Sequence, residues 1–227
     1  MTPYEVVGPG PGYRGALCWR FAEPVTMLSS ASVGGGLGLA SWLLNVGVHK
    51  RFARTDLDAH AAEVAASLRL AGHGATLLTA ADVTRVQTQV EDDVRADATV
   101  GITSPTWAAD RTGGFTPWKP GTINIVVQLP ARLPDAALIN LVMTITEAKT
   151  QALAAAGVPG TGTASDAVAI TCPTTGASEM FGGPRSHWGS RTALAVYDAV
   201  LAGSLEWTSA RDDVGLKVTH DSHWTLG

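Results

Sequence analysis

Apolar and polar positions change period several times along this chain, and each change marks an expected element. Ala16 to Val25 is apolar and aromatic and Thr26 to Ser32 continues with β-tolerant residues, which predicts two strands joined near Pro24. Val33 to Leu39 (VGGGLGL) reads as a flexible loop or tight crossing, and the apolar run Ala40 to Val48 fits either a short helix or a buried strand. Leu57, Ala61, Val64 and Leu68 recur at helical intervals, with Thr55 and Asp58 at capping-box spacing and Gly72 as a stop, so a helix is expected over Asp56 to Ala71. Ala75 to Ala80, Thr84 to Val90 and Ala98 to Thr103 then read as strands.

The second half follows the same alternation. Thr103 to Pro120 is a proline- and glycine-bearing loop with Trp107 and Trp118, long enough to act as a substrate cover. In Thr122 to Leu129, Ile123, Ile125, Val127 and Leu129 fall on one face and Asn124, Val126 and Gln128 on the other. Asp135 to Ala156 predicts a helix stopped by Gly157, Asp166 to Thr171 a strand, and Ser190 to Leu201 a late helix. These elements predict an α/β fold, a single mixed-sheet layered domain with helices packed on the sheet, over residues 1–205. Residues 206–227 are polar and irregular, suiting an edge strand or a tail.

Composition narrows the function classes. A chain of 227 residues, 45% hydrophobic and 16% charged, supports one well-cored domain. A net charge of −4 without clustered Lys and Arg argues against a nucleic-acid partner, although the local run His49 to Arg54 (HKRFAR) suits anion contacts. Cys18 and Cys172 are too few for a disulfide framework and lack CxxC spacing. With no signal-peptide pattern and no apolar run of the ~18 residues that span a bilayer, a soluble, cytoplasmic protein without a membrane partner is expected.

Candidate chemistry concentrates between Pro120 and Ile170. At about 100° per residue, Lys149 points with the apolar stripe of Leu138, Val142, Ile145 and Leu153, while Glu147 points the other way. Such a lysine snorkels past the core, pairs with a carboxylate, or works in a site as an anion or carbonyl contact or a desolvated amine. Glu147 reads as a solvated surface acid unless a second layer or a partner subunit covers its face, which leaves a homo-oligomer open.

In Gly160 to Asp166 the hydroxyls of Thr161, Thr163 and Ser165 suit phosphate or carbonyl oxygens, and Asp166 suits a cleft; a tight turn with Ser165 and Asp166 as caps fits as well. GTGTAS and VGGGLGLAS both lack the third glycine of a dinucleotide loop, and neither a GxSxG elbow nor an HExxH motif occurs. His220 and His223 have HxxH spacing with little else to make a metal site. His187, before a helix in GGPRSHWG, suits either an acid–base role or an ordinary surface position beside Trp188.

Five strings, SSASVGGGL with Asn45 downstream, LLTAADV (Leu77 to Val83), PGTINI, TEAKT and the TGT–D loop, together resemble the adenosylcobinamide amidohydrolase (CbiZ-type) family over Ser29 to Val200. That resemblance implies hydrolysis of the amide joining the corrin ring to the aminopropanol arm of adenosylcobinamide, giving adenosylcobyric acid for cobamide salvage. It implies a corrinoid partner and no cofactor of the protein's own, since the cobalt belongs to the substrate. Expected catalytic residues are Glu147 or Asp166 as base and Lys149 and Asn124 as polarising donors, with the Gly160 to Ser165 backbone on the oxyanion. A nucleophilic Thr163 or Ser165 is the competing mechanism.

Substrate contacts are expected from Gly35, Gly36, Asn45, Thr122 and Thr146. Thr161, Gly162, Thr163, Ser165 and His187 complete that set, with Trp42, Trp107, Trp118 and Trp188 as aromatic walls. The family's TGTGTD is TGTASD here, so Ala164 narrows the backbone's approach to a ligand. A non-catalytic corrinoid-binding protein and a hydrolase of another amide are the alternative readings.

Overall fold

The computed structural model describes residues 1–110 and 121–212. Its elements are β1 (Glu5–Val7), β2 (Ala16–Ser29), β3 (Gly36–Gly47), α1 (Leu57–Ser67), β4 (Gly74–Thr79), β5 (Gln87–Glu91), β6 (Val94–Gly101), β7 (Thr122–Gln128), α2 (Asp135–Ala155), β8 (Ala167–Cys172) and α3 (His187–Asp212). The strands form one eight-stranded sheet in the order β4-β3-β2-β8-β7-β6-β5, with β1 added beside β2. Pairs β3/β4 and β7/β8 are parallel and the rest antiparallel, so the sheet is mixed.

The sheet is folded on itself. Across its order, β3 and β7 are three strand spacings apart, about 14 Å in a flat sheet, yet Asn124 Nδ2 donates to Asn45 Oδ1 at 2.9 Å. Leu17, Trp19, Leu43, Ala75 and Leu77 of one leaf pack with Val126 and Ala169 of the other. Helix α1 covers the outside of the first leaf through Val64 and Ala65 against Cys18, Leu44 and Val46. Helices α2 and α3 cover the second, where Leu138, Leu141, Ile145, Val196 and Val200 meet Ile123, Ile125 and Val127. Truncating one of these fully buried leucines, such as Leu141→Ala, removes about 2–5 kcal/mol, so the layer order rests on a small set of apolar side chains.

Several sequence expectations need correction. Ala16 to Ser29 is one long strand rather than a hairpin, and it stops three residues short of Ser32: the register against β3 shifts between Arg20 and Val25, and this irregularity accommodates Pro24, which has no N–H for a ladder. Strand β3 starts at Gly36, inside the expected loop, and runs to Gly47, so the apolar run from Ala40 is strand except for its last residue, Val48. Helix α1 stops at Ser67 without the capping box; Asp56 precedes it with no side-chain cap bond. Its end is a Schellman turn, Arg69 N–H to Ala66 O at 3.0 Å and Leu70 N–H to Ala65 O at 3.0 Å, with Arg69 at φ 53°, so Gly72 has no part in stopping it. Val83–Arg85 is a 3-10 turn, which shortens the strand expected from Thr84. Helix α3 runs to Asp212, so the segment after residue 205 begins as helix.

Other expectations hold. Helix α2 ends in a second Schellman turn with Gly157 at φ 71° and Val158 N–H on Leu153 O at 2.9 Å. The two faces of β7 divide as its alternation predicts: Ile123, Ile125 and Val127 join the helix-side core and Val126 the inter-leaf core.

Candidate active site

Strand β8 starts one residue after Asp166, and β7 starts beside it, so the loop carrying Thr161 to Ser165 is anchored between two parallel neighbours. Helix α2 points Lys149 inward, with its apolar stripe, onto that anchor. Lys149 Nζ meets Asp166 Oδ2 at 2.5 Å, the two side chains 11% and 12% exposed. Asp166 Oδ2 also accepts the Thr163 N–H at 3.0 Å, and Oδ1 accepts the Ile123 N–H at 2.9 Å. Four donors, counting the Thr163 hydroxyl at 2.5 Å, converge on this carboxylate.

Counting limits where the hydroxyl protons lie. Thr163 Oγ1 lies within reach of Asp166 Oδ1 and of the Gly121 carbonyl at 2.7 Å, and it holds one proton. The Gly121 carbonyl also lies 3.1 Å from Ser165 Oγ, and Ser165 Oγ sits 2.9 Å from Thr122 Oγ1. With Thr163 donating to Asp166, Ser165 donates either to Gly121 or to Thr122, since either hydroxyl of that pair can be the donor, and in both arrangements at least one lone pair of Ser165 has no partner among the described residues. No carboxylate, histidine or lysine bonds Ser165 among the described residues.

Beside these hydroxyls lies a cavity of ≈ 350 Å³. Thr122, Ser165 and Ala167 form one side; the ends of β3 and β4, including Val48, Leu77 and Thr79, form another; His49, Phe52, Arg54 and Leu57 close it from the segment before α1. Asn124 supports it from within: its Nδ2 donates to the Leu78 carbonyl at 3.1 Å as well as to Asn45, and Asn45 Nδ2 donates to Thr99 Oγ1 at 2.9 Å. Asn124 Oδ1 is buried without a hydrogen-bond partner among the described residues.

Charge at the rim is mostly compensated. Arg54 donates to Asp56 at 2.6 and 2.9 Å and to Glu63 at 2.7 and 3.0 Å, so its guanidinium is occupied by two carboxylates rather than offered to an anion. Those bonds raise the Arg54 pKa and lower Asp56 to about 2, with Glu63 also below its usual value. His49 Nδ1 accepts the Arg51 N–H at 3.0 Å, which puts the proton of the neutral ring on Nε2 as a donor.

Lys149, Asp166, Thr163, Ser165 and Thr122 are therefore brought together, with Asn124 and Asn45 directly behind. Gly162 passes so close to the ion pair that a Cβ there would collide with Asp166 Oδ2 and Lys149 Nζ. Thr161 bridges to the preceding loop, accepting Ala108 N–H at 2.9 Å. The N–H groups of Gly160, Thr161 and Thr163 are taken by Val158, Thr106 and Asp166, so these three cannot serve an oxyanion as expected.

The remaining candidates lie elsewhere. Glu147 and Thr146 are exposed on the far side of α2, where the Thr146 hydroxyl donates to Val142 O at 2.8 Å. Gly35 and Gly36 line a separate hollow with Met27 and His73. His187 opens α3, 3.3 Å from Arg191, which bonds Asp92 in the β5–β6 turn. That turn is at the opposite end of β6 from Gly101, which pairs with Thr122.

Trp42, Trp107 and Trp188 do not line the cavity, whose aromatic wall is Phe52; Trp118, His220 and His223 lie outside the described residues. The sequence reading missed Phe52, Leu57 and the ends of β3 and β4 as lining, and it flagged His49 and Arg54 only as local charge. Among the described residues no helix is long and apolar enough to cross a membrane.

The family model described as adenosylcobinamide amidohydrolase matches residues 7–212. An adenosylcobinamide amidohydrolase of Halobacterium salinarum is 39% identical over 115 residues, 48% of this chain and 49% of that protein. Another, of Methanosarcina mazei, is 28% identical over 183 residues, 77% of this chain and 88% of its own length. The chain thus spans about half the length of the first relative and most of the second. A solved Pyrococcus horikoshii protein overlays 89% of this chain and 80% of its own at a TM-score of 0.42 and 10% identity, too distant to carry an argument.

Proposed function

The chain belongs to the adenosylcobinamide amidohydrolase family, and from that membership we propose that it hydrolyses the amide between the corrin-ring propionate and the aminopropanol arm of adenosylcobinamide. Water's oxygen replaces the amide nitrogen on the acyl carbon; the products are adenosylcobyric acid, which re-enters cobamide assembly, and 1-amino-2-propanol, which leaves with the proton. The observation that supports this reading most is the cavity itself, where Ser165 and Thr122, their hydroxyls 2.9 Å apart, share the lining with the apolar Val48, Phe52 and Leu77 and with His49.

In this reading Lys149 and Asp166 hold the loop rather than exchange protons with substrate. A carboxylate that accepts four hydrogen bonds is poorly disposed to act as a base. On the direct route the Ser165 oxygen bonds the acyl carbon as the C–N bond breaks, its proton passes to the departing amine nitrogen, and water then cleaves the acyl ester and returns a proton to Ser165. On the other route Ser165 accepts a hydrogen bond from a water whose oxygen bonds the acyl carbon and whose proton passes to that nitrogen. On either route the His49 Nε2–H donates to the carbonyl oxygen as negative charge develops. Glu147, exposed on the opposite face of α2, has no part in it.

Incubation of the protein with adenosylcobinamide followed by chromatography tests the proposal. Adenosylcobyric acid and 1-amino-2-propanol should appear in equal amounts. Tight binding with the ligand recovered unchanged would replace the hydrolase with a corrinoid-binding protein, and turnover of simpler amides alone would replace the substrate.

A further inference from the structure

The size of the cavity decides which part of such a substrate it can enclose. Enclosed sites for drug-sized ligands run from roughly 300 to 1,000 Å³, and this one, at ≈ 350 Å³, is near the lower end. A corrin macrocycle with its side chains and adenosyl ligand has several times the heavy atoms of such a ligand and does not fit. The aminopropanol arm and its amide are a handful of heavy atoms and do. The walls match that fragment in kind: Leu77, Val48 and Phe52 offer apolar surface for its methyl and methylene groups, while Ser165, Thr122 and His49 offer hydrogen bonds for its amide and hydroxyl.

Exposure gives the direction of entry. Leu77, Thr79, Thr122 and Val48 are at most 7% exposed and form the floor, whereas Ser32 and His49 are exposed and form the rim. We infer that the cavity receives the arm and its amide end-on and that the macrocycle stays outside, resting on the rim, so that recognition of the arm and of the ring are separable. This rests on the proposed function and adds the division of the substrate to it.

Two measurements test the division. N-(2-hydroxypropyl)propanamide, the arm with the shortest acyl group, should compete with adenosylcobinamide for the wild-type protein, although it carries no ring. Ala80→Leu places extra methylenes in the cavity wall. Since one methylene in an apolar pocket changes discrimination by about 10–200-fold, hydrolysis should fall by at least ~10-fold. Binding of adenosylcobyric acid, which has the ring and no arm, should stay within about twofold, followed by the visible absorption of the corrinoid.

Wild-type turnover of adenosylcobinamide separates the two claims. With turnover present, a small amide that fails to compete, or an Ala80→Leu protein that loses ring binding as much as hydrolysis, overturns the division while the activity stands. Should the variant fail to fold, the competition on the wild-type protein decides alone. Absence of wild-type turnover removes both.

Discussion

Lys149 and Asp166 form a largely buried ion pair that ties the middle of α2 to the start of β8, across a loop whose hydroxyls face the cavity. Removing one partner of such a pair strands the other, and the cost is about 3–5 kcal/mol. Lys149→Met and Asp166→Leu should each lower the denaturation midpoint clearly. The double variant Lys149→Met/Asp166→Leu should recover part of the loss, because no charge is left stranded. A double variant whose loss in a denaturant titration equals the sum of the two single losses, with no coupling between the sites, would show that the pair is not the tie.

Gly162→Ala is expected to be worse than an ordinary loop substitution. Gly162 has no positive φ to explain its presence; the reason is space, since a Cβ would enter the contact between Asp166 Oδ2 and Lys149 Nζ. Forcing a methyl into a packed site costs roughly 1–3 kcal/mol, and here it must also part the ion pair. Gly157→Ala meets open space, yet Gly157 sits at φ 71°, so its smaller loss of about 1 kcal/mol would come from the backbone. Thermal denaturation of both variants distinguishes crowding from backbone strain; a larger loss at Gly157 contradicts the crowding argument.

The fate of particular residues shows what local pattern carries and what it does not. Lys149 was legible because helical period fixes direction, and the alternation of β7 was legible because strand period does the same. Asp166 was legible as a strand-initial acid, but its four donors come from the loop, from β7 and from α2, which no local window contains. The cavity was illegible for the same reason: His49 to Leu57 becomes a wall only once β3 and β4 pair in parallel and the sheet folds over. Arg54 could have been read further, since Asp56 and Glu63 lie close by in sequence and neutralise it. Pro24 misled because a break in the ladder and a turn between strands look alike in one dimension.

Acid sensitivity should come in two stages. His60 is fully buried, tilted against Phe52 at 5.1 Å and 3.3 Å from Arg54 Nη1. Burial first and the Arg54 charge second push its pKa below 6.5, with Glu63 and Asp56 opposing. The folded protein therefore takes up this proton less readily than the unfolded chain. The contribution is complete above pH 6.5 and is lost as pH falls through the folded value of His60. Asp56 and Glu63, lowered by their Arg54 hydrogen bonds, contribute above their unfolded values of 3.8 and 4.5 and lose that as pH falls through their folded values, about 2 for Asp56. Tm should be level from pH 6.5 up to the unfolded thiol value of 9.0, above which the burial-raised Cys18 and Cys172 cost stability. It should decline below pH 6.5 and decline further in stronger acid. His60→Phe should remove the first stage and keep the second; a first stage that persists in that variant would assign it to another group.

Ser165 and Glu147 make opposite predictions for catalysis, and a motif reading would rank them the other way. TEAKT draws attention to Glu147, yet that side chain is exposed on the face of α2 turned away from Lys149. Ser165, one hydroxyl among several in the loop, lines the cavity with a lone pair left over. Glu147→Gln should change kcat/KM by less than about twofold, as for a solvated surface charge. Ser165→Ala should lower kcat by about 10²-fold or more with KM little changed, since the hydroxyl acts on the acyl carbon in the transition state. Mass spectrometry of the wild-type protein with slow substrate then separates the two routes open to that hydroxyl: an adduct on Ser165 assigns direct attack, and its absence with the same kinetic loss assigns an oriented water. A large kcat loss in Glu147→Gln beside a near-normal Ser165→Ala would move the reaction to the other face of α2, where a second layer or a partner subunit would have to enclose it.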